Sequence, residues 1–244
     1  MAKARAKTAS KAPRRLPRGR HALTPQEVLR DQRQRLIDAV PRVVTEHGYE
    51  AMSVADLVKA AAVSRNAFYK NFADKQECFA AAHDAGHERL LEVLAGPCEK
   101  GTDLEGRVET SLTAGLEALA AEPGMARLLF VEAPSAGKEI ALQYHEWLQR
   151  YGTLLRAAAP ELPVKSIPAP EVEGVIVGGI ASRVASEVLH GRAKKLPSLL
   201  ASLVEYVLAF YRLSDAGPKE GRLVPFERQT EAEQADAEQK RASA

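Results

Sequence analysis

Between Ser64 and Asn71 the chain reads Ser-Arg-Asn-Ala-Phe-Tyr-Lys-Asn. A guanidinium, an ammonium, two carboxamides and a phenol hydroxyl thus fall within about two turns of helix. These groups have a shared use. Arg and Lys pair with guanine edges, Asn pairs with adenine, and the Ala methyl packs against the thymine methyl. The Tyr hydroxyl and Lys also hold phosphate oxygens. Phe68 and Phe72 are four apart, so they share one helix face, and as apolar residues that face is the inward one. Arg65, Asn66, Ala67, Tyr69, Lys70 and Asn71 are then left toward or beside solvent. A short helix with one packed side and one such polar side has the chemistry of a major-groove reader.

Other chemistries find less support. Many Ser, His and Asp residues occur, but none lies in a recognisable catalytic motif, so no catalytic residue is assigned and the chain is not read as an enzyme. His83 and His87 are four apart, a spacing that can hold a metal, yet no third ligand is evident beyond the nearby Cys78 and Glu88. They read as packed or solvent-facing histidines, and no metal or cofactor is expected. The two cysteines, Cys78 and Cys98, fit neither a zinc motif nor a disulfide framework, as in a reducing cytoplasm. Cys78 reads as a small core residue rather than a thiol sensor. The glycines from Gly174 to Gly179 lack the preceding strand and the following Lys-Ser/Thr of a phosphate loop. Phe130, Tyr144, Trp147 and Tyr151 either line an apolar ligand cavity or pack a core.

The elements that must position the reading helix are legible from their start signals. Thr24-Pro25-Gln26-Glu27 opens a first helix with a capping box and an early proline. Leu29, Leu36, Ile37, Val40, Val43 and Val44 follow at helical spacing. Pro41 predicts a kink within that helix, and Gly48 its end. Ser53 and Asp56 form a second capping box, stapled by Met52 and Leu57, over a helix running to about Ala61. Ser64 caps the third helix and Asp74 the fourth. Helices of seven or eight residues are unstable alone, so these must share one small core with the first. Two short capped helices joined by a tight turn make a helix-turn-helix.

Beyond residue 76 the pattern stays helical: 103–121, a short apolar stretch at 125–132, 138–158, 171–190 and 196–213, with a proline-rich loop over 160–170. No strand pattern of convincing length appears, so the expected fold is all-α. In the helix at 171–190, Val172, Val175, Ile176, Ile180, Val184 and Val188 form a stripe flanked by small residues. The helix at 196–213 is apolar around much of its girth. Either these two helices form a monomeric core or they build a two-fold four-helix bundle with a second copy.

Of 244 residues, 45% are hydrophobic and 27% charged, a globular composition. Through Lys75 there are 16 Lys and Arg against 7 Asp and Glu, and from Gln76 on 18 against 25. A basic first third meets a polyanion more readily than the acidic remainder. Residues 1–22 read as a disordered basic arm and 214–244 as a polar tail. No apolar run is long enough to span a membrane, and the charged N-terminus lacks the apolar stretch of a signal peptide.

The stretch from Arg35 to Phe79 resembles the TetR family of bacterial transcriptional regulators. Gly48-Tyr49, Ser53, Val63-Ser64, Phe68-Tyr69, Phe72 and Asp74-Lys75 carry the likeness; Ala62 and Asn66 depart from it, standing where many members have glycine. The resemblance implies a cytoplasmic homodimer with a DNA-binding domain at 23–75 and a helical ligand-binding and dimerising domain at 76–213, its partners a double-stranded operator and a small-molecule effector. It implies that Ser53, Tyr69 and Lys75 touch phosphates, that Ser64 to Lys70 present the reading surface, and that Asn71 stands where the family often has a phosphate-binding histidine. Arg14, Arg15, Arg18 and Arg20 either enter a minor groove or serve as unstructured counter-charge. Two functions follow: a repressor released by a ligand, or a ligand-independent dimeric DNA-binding or architectural protein. A cavity in the C-terminal domain separates them.

Overall fold

The computed structural model describes residues 24–98, 103–163 and 167–215; the basic arm and the polar tail expected from the sequence lie outside them. Among the described residues every regular element is helical: α1 (Pro25–Ala51), α2 (Val54–Ala61), α3 (Arg65–Tyr69), α4 (Lys75–Cys98), α5 (Leu104–Ala121), α6 (Pro123–Arg127), α7 (Lys138–Ala157), α8 (Pro170–Leu189) and α9 (Leu200–Asp215). A π-turn (Leu128–Glu132) and a 3-10 turn (Ala133–Ser135) connect α6 to α7.

The predicted caps form. Thr24 Oγ1 accepts from Glu27 N at 3.2 Å while the Glu27 carboxylate accepts from Thr24 N at 2.6 Å. Ser53 and Asp56 make the same reciprocal pair, and Ser64 Oγ accepts from Ala67 N. At the start of α4, Asp74 accepts from Glu77 N and Glu77 from Ala73 N. Each cap satisfies backbone donors that a helix start leaves unpaired.

Pro41 does not break α1. The one departure from helical φ/ψ inside it is Gly48, at φ 72° and ψ 169°. Proline's fixed φ suits the helix; the Ile37 carbonyl goes without its usual donor there, and one turn on the Thr45 hydroxyl donates to the Pro41 carbonyl at 2.7 Å. Gly48 takes a left-handed φ that a Cβ would strain, and the chain turns there into α2. The last helix also differs from expectation. Residues 193–199 wind as a 3-10 turn around Pro197, and the α-helix begins only at Leu200.

One core runs through the whole described molecule. Leu57, Phe68, Phe72, Cys78 and Phe79, all buried, join Leu129, Phe130, Trp147 and Val184 in a single cluster. A second cluster around Ile176, Val204, Val207 and Tyr211 fills the space between α8 and α9. Helix α4 belongs to both ends. Its first two turns pack on α1, and its later turns run beside the antiparallel α5.

Candidate nucleic-acid interface

Helix α3 has only five residues and survives by packing. Phe68 is 0% exposed and Phe72 2%, whereas Tyr69 is 51% exposed. Ser64, Arg65, Asn66 and Lys70 are exposed with it. The Arg65 guanidinium lies 5.9 Å from the Tyr69 ring centroid, so these two side chains share one patch.

The structure redistributes the remaining expected contacts. Ala67 does not face outward: it is 6% exposed and sits on the packed side of α3. Asn71 lies past the end of α3, half-buried, and its Nδ2 donates to the Ala67 carbonyl at 2.8 Å, capping the helix. The Ser53 hydroxyl donates to Asp56 Oδ2 at 2.6 Å, so its proton is already placed. Lys75 is turned inward. Its Nζ donates to the carbonyls of Tyr49, Glu50 and Met52 at 3.1, 2.9 and 3.1 Å and lies 4.9 Å from the Tyr49 ring centroid.

The same use of cations recurs across the first three helices. Arg35 Nη2 donates to the carbonyls of Ala61 and Ala62 at 2.6 Å each, and Arg42 Nη2 to Ala60 at 2.8 Å. These are the orphan carbonyls at the C-terminus of α2, where positive charge is also favoured by the helix dipole. Arg33 donates to the Asn71 carbonyl at 3.0 Å and covers the Phe72 ring at 4.3 Å. Arg33, Arg35, Arg42 and Lys75 therefore brace these helices through backbone carbonyls, while Arg65 and Lys70 stand exposed beside Tyr69. The turn itself carries strain. Ala62 adopts φ 52° and ψ 44°, the left-handed conformation that glycine takes without cost.

The four aromatic candidates meet in the second half of the chain. Phe130, Tyr144, Trp147 and Tyr151 surround His87, whose ring stacks on Trp147 at 5.2 Å with an interplanar angle of 14°. His87 Nδ1 and Tyr151 Oη are 2.7 Å apart, and the Nε2 atoms of His87 and His83 3.0 Å apart. Each contact needs one proton and one lone pair. Burial pushes His83 down to about 4 and His87 to about 2, the neighbouring imidazole adding to the second shift. The pair is thus a neutral, mutually bonded core element, and no cluster of three metal-binding side chains exists among the described residues.

Beside this group lies a cavity of about 130 Å³ lined by α4, α5, α7, α8 and α9. Phe130 and Tyr151 line it; Tyr144 and Trp147 stand behind them. Its wall is otherwise mostly aliphatic, from Leu90, Leu94, Leu116, Val177 and Val184 among others, with Ser111 and Arg107 the polar members. Arg107, the one charged side chain in the wall, is 9% exposed, gives Nε to the Ala158 carbonyl at 2.5 Å and pairs with Glu161. None of these aliphatic residues differs in type or spacing from ordinary helix core, so the sequence carried no signal for them.

Comparison with known proteins agrees with this arrangement. Residues 36–82 match the family described as bacterial regulatory proteins, tetR family. The transcriptional repressor AcnR of Corynebacterium glutamicum is 34% identical over 65 residues, 27% of this chain and 35% of that protein. AcnR of Corynebacterium efficiens is 32% identical over 78 residues, 28% and 42% of the two chains. The chain thus spans less than half the length of these curated relatives. Among solved structures, the regulator FadR from Bacillus subtilis in complex with stearoyl-CoA superposes with a TM-score of 0.64 at 17% identity, over 72% of this chain and 98% of that one. A transcriptional regulator from Rhodococcus sp. Rha1 gives 0.58 at 25% identity, over 76% and 99%.

Proposed function

We propose that this chain, a member of the TetR family of bacterial regulatory proteins, is a dimeric transcriptional repressor that leaves its operator when an apolar small molecule fills the cavity of its second domain. The observation that carries the first half is α3: Phe68 and Phe72 hold it against the core while Arg65, Asn66, Tyr69 and Lys70 face outward. In this reading Arg65 and Asn66 reach base edges, and Tyr69, Lys70 and Ser64 hold phosphates on either side. The DNA-binding domain ends near residue 75, and the helices from α4 on carry ligand and partner.

The dimer reading rests on α8 and α9. Most of their large apolar residues are buried or half-buried within the protomer, and along α8 Gly174, Val175, Ser182 and Leu189 are exposed, with Gly178 and Ala185 half-exposed between them. Val175 is 60% and Leu189 61% exposed. Small side chains let a partner helix approach closely, and a two-fold dimer supplies the two reading helices that a palindromic operator needs.

The cavity favours release by a ligand over a purely architectural role. Its dry wall suits a hydrocarbon chain. A regulator of the same fold carries stearoyl-CoA, so acyl chains are the first class to try. No helix among the described residues is long and apolar enough to cross a membrane.

The test is selection of bound duplexes from genomic fragments, followed by affinity measured against salt. Specific binding is expected to weaken by a log–log slope of roughly −0.9 per neutralised phosphate. Absence of salt-sensitive affinity for any duplex overturns the proposal.

A further inference from the structure

The segment joining the cavity to the DNA-binding helices is a π-turn, and its last side chain crosses between them. Glu132 is half of a short bridge: its Oε2 accepts from the Tyr49 backbone N–H at 2.9 Å, and its Oε1 from Arg127 Nε at 2.8 Å. The Glu132 side chain is 12% exposed. Tyr49 follows Gly48, the left-handed break in α1, and belongs to the same three-residue corner whose carbonyls Lys75 gathers. The corner is therefore held from both sides, by Lys75 on its carbonyls and by Glu132 on an amide. Two residues before Glu132, Phe130 forms part of the cavity wall.

The turn is wound in π register. Ala133 N–H donates to the Leu128 carbonyl, the five-residue spacing of a π-turn. That spacing brings Arg127 and Glu132 onto one side. In an α-helix residues five apart are separated by about 140° around the axis, which parts the pair and turns the Glu132 carboxylate away from Tyr49. The neighbouring contact leaves little slack: a Cβ on Gly124 would lie 2.8 Å from the Pro41 carbonyl oxygen, so α6 is seated against α1 and a change in the turn is passed on rather than absorbed.

We propose that Glu132 is a clasp through which filling of the cavity is transmitted to the DNA-binding helices, the π-turn being its movable part. Pressure on Phe130 shifts the turn toward α-register, the carboxylate leaves the Tyr49 amide, and the corner that sets α2 and α3 on α1 loosens. This rests on the cavity reading above and adds the element that couples the two ends, a two-state segment in contact with both.

The test needs no ligand. Ala181, 3% exposed and in the cavity wall, is replaced by Phe in the full-length chain, with and without Glu132→Ala. Operator affinity and hydrogen exchange of the Tyr49 amide are measured, and melting curves confirm folding. Ala181→Phe alone is expected to weaken operator binding at least ten-fold and to speed Tyr49 exchange at least ten-fold. In the Glu132→Ala background the same filling is expected to change operator binding less than two-fold. Equal losses in both backgrounds, or a Tyr49 amide indifferent to filling, overturn the clasp. If filling leaves operator affinity unchanged while Tyr49 exchange still rises, the ligand-release reading fails and the clasp stands. Ala181→Leu and Glu132→Gln replace any variant that does not fold, with the same criterion of unequal loss.

Discussion

In and just after α3, neighbouring side chains have opposite duties. Tyr69 is half exposed while Phe68 and Phe72 are sealed. Tyr69→Ala and Lys70→Ala are expected to weaken operator binding by about 1–3 kcal/mol each with little change in melting temperature. Phe72→Ala is expected to cost about 3–5 kcal/mol of folding stability. Titration calorimetry with the duplex and denaturant midpoints separate the two effects; the opposite pattern would mean the faces are assigned backwards. Ala62 offers a test of strain. Its left-handed φ of 52° costs alanine about 1–2 kcal/mol, while glycine loses part of that gain to the freedom of its unfolded chain. Ala62→Gly is therefore expected to raise stability by about 0.5–1 kcal/mol in urea unfolding, and a lower midpoint would contradict the assignment of strain.

Two helices too short to stand alone, α2 and α3, join α1 in one platform through side chains that cross between them. Lys75, from the first turn of α4, is the clearest case, because a single ammonium satisfies three carbonyls at the end of α1. Hydrogen bonds to a charged group contribute more than neutral ones. Lys75→Met keeps the stem and removes the donors, and is expected to destabilise the helix-turn-helix by about 1–3 kcal/mol, with faster amide exchange around 49–53. A variant that instead keeps its stability and loses only a phosphate contact, seen as a shallower salt slope, would return Lys75 to the DNA. Arg35 and Arg42 serve the same end at the C-terminus of α2. The platform is thus braced by cations that, by charge alone, look available to a polyanion.

Across the molecule, the joint between α4 and α7 makes stability depend on pH. His83 and His87 face Asp84, Tyr144, Trp147, Arg150 and Tyr151, and burial lowers both imidazoles from 6.5. Their folded values lie below the unfolded ones, so the unfolded chain binds more protons between about pH 6.5 and 4. Stability is then whole above 6.5 and falls as pH drops through that window. Urea midpoints at pH 7.5 and 5 check this; a midpoint that stays level would show the pair to be protonated when folded. Assembly is tested separately. Val175→Arg places a charge on the exposed strip of α8 and is expected to yield monomers in sedimentation and to weaken operator binding at least ten-fold, without loss of helix content.

How much was legible follows from the range over which each signal acts. Caps, apolar spacing and the Phe68–Phe72 pair are local, and they determined the helix order, the helix-turn-helix and the exposed Tyr69. Local spacing also implied that Ala67 and Asn71 stood toward DNA, and the family resemblance that Lys75 touched a phosphate. Only the tertiary structure decided otherwise, because a lysine free in sequence is committed once three carbonyls from 23 to 26 residues away converge on it. The cavity and the Glu132–Tyr49 bond belong to the same class. An aliphatic residue has the same type whether it fills a core or lines a hole, and a carboxylate that meets an amide 83 residues distant leaves no periodic trace in the chain.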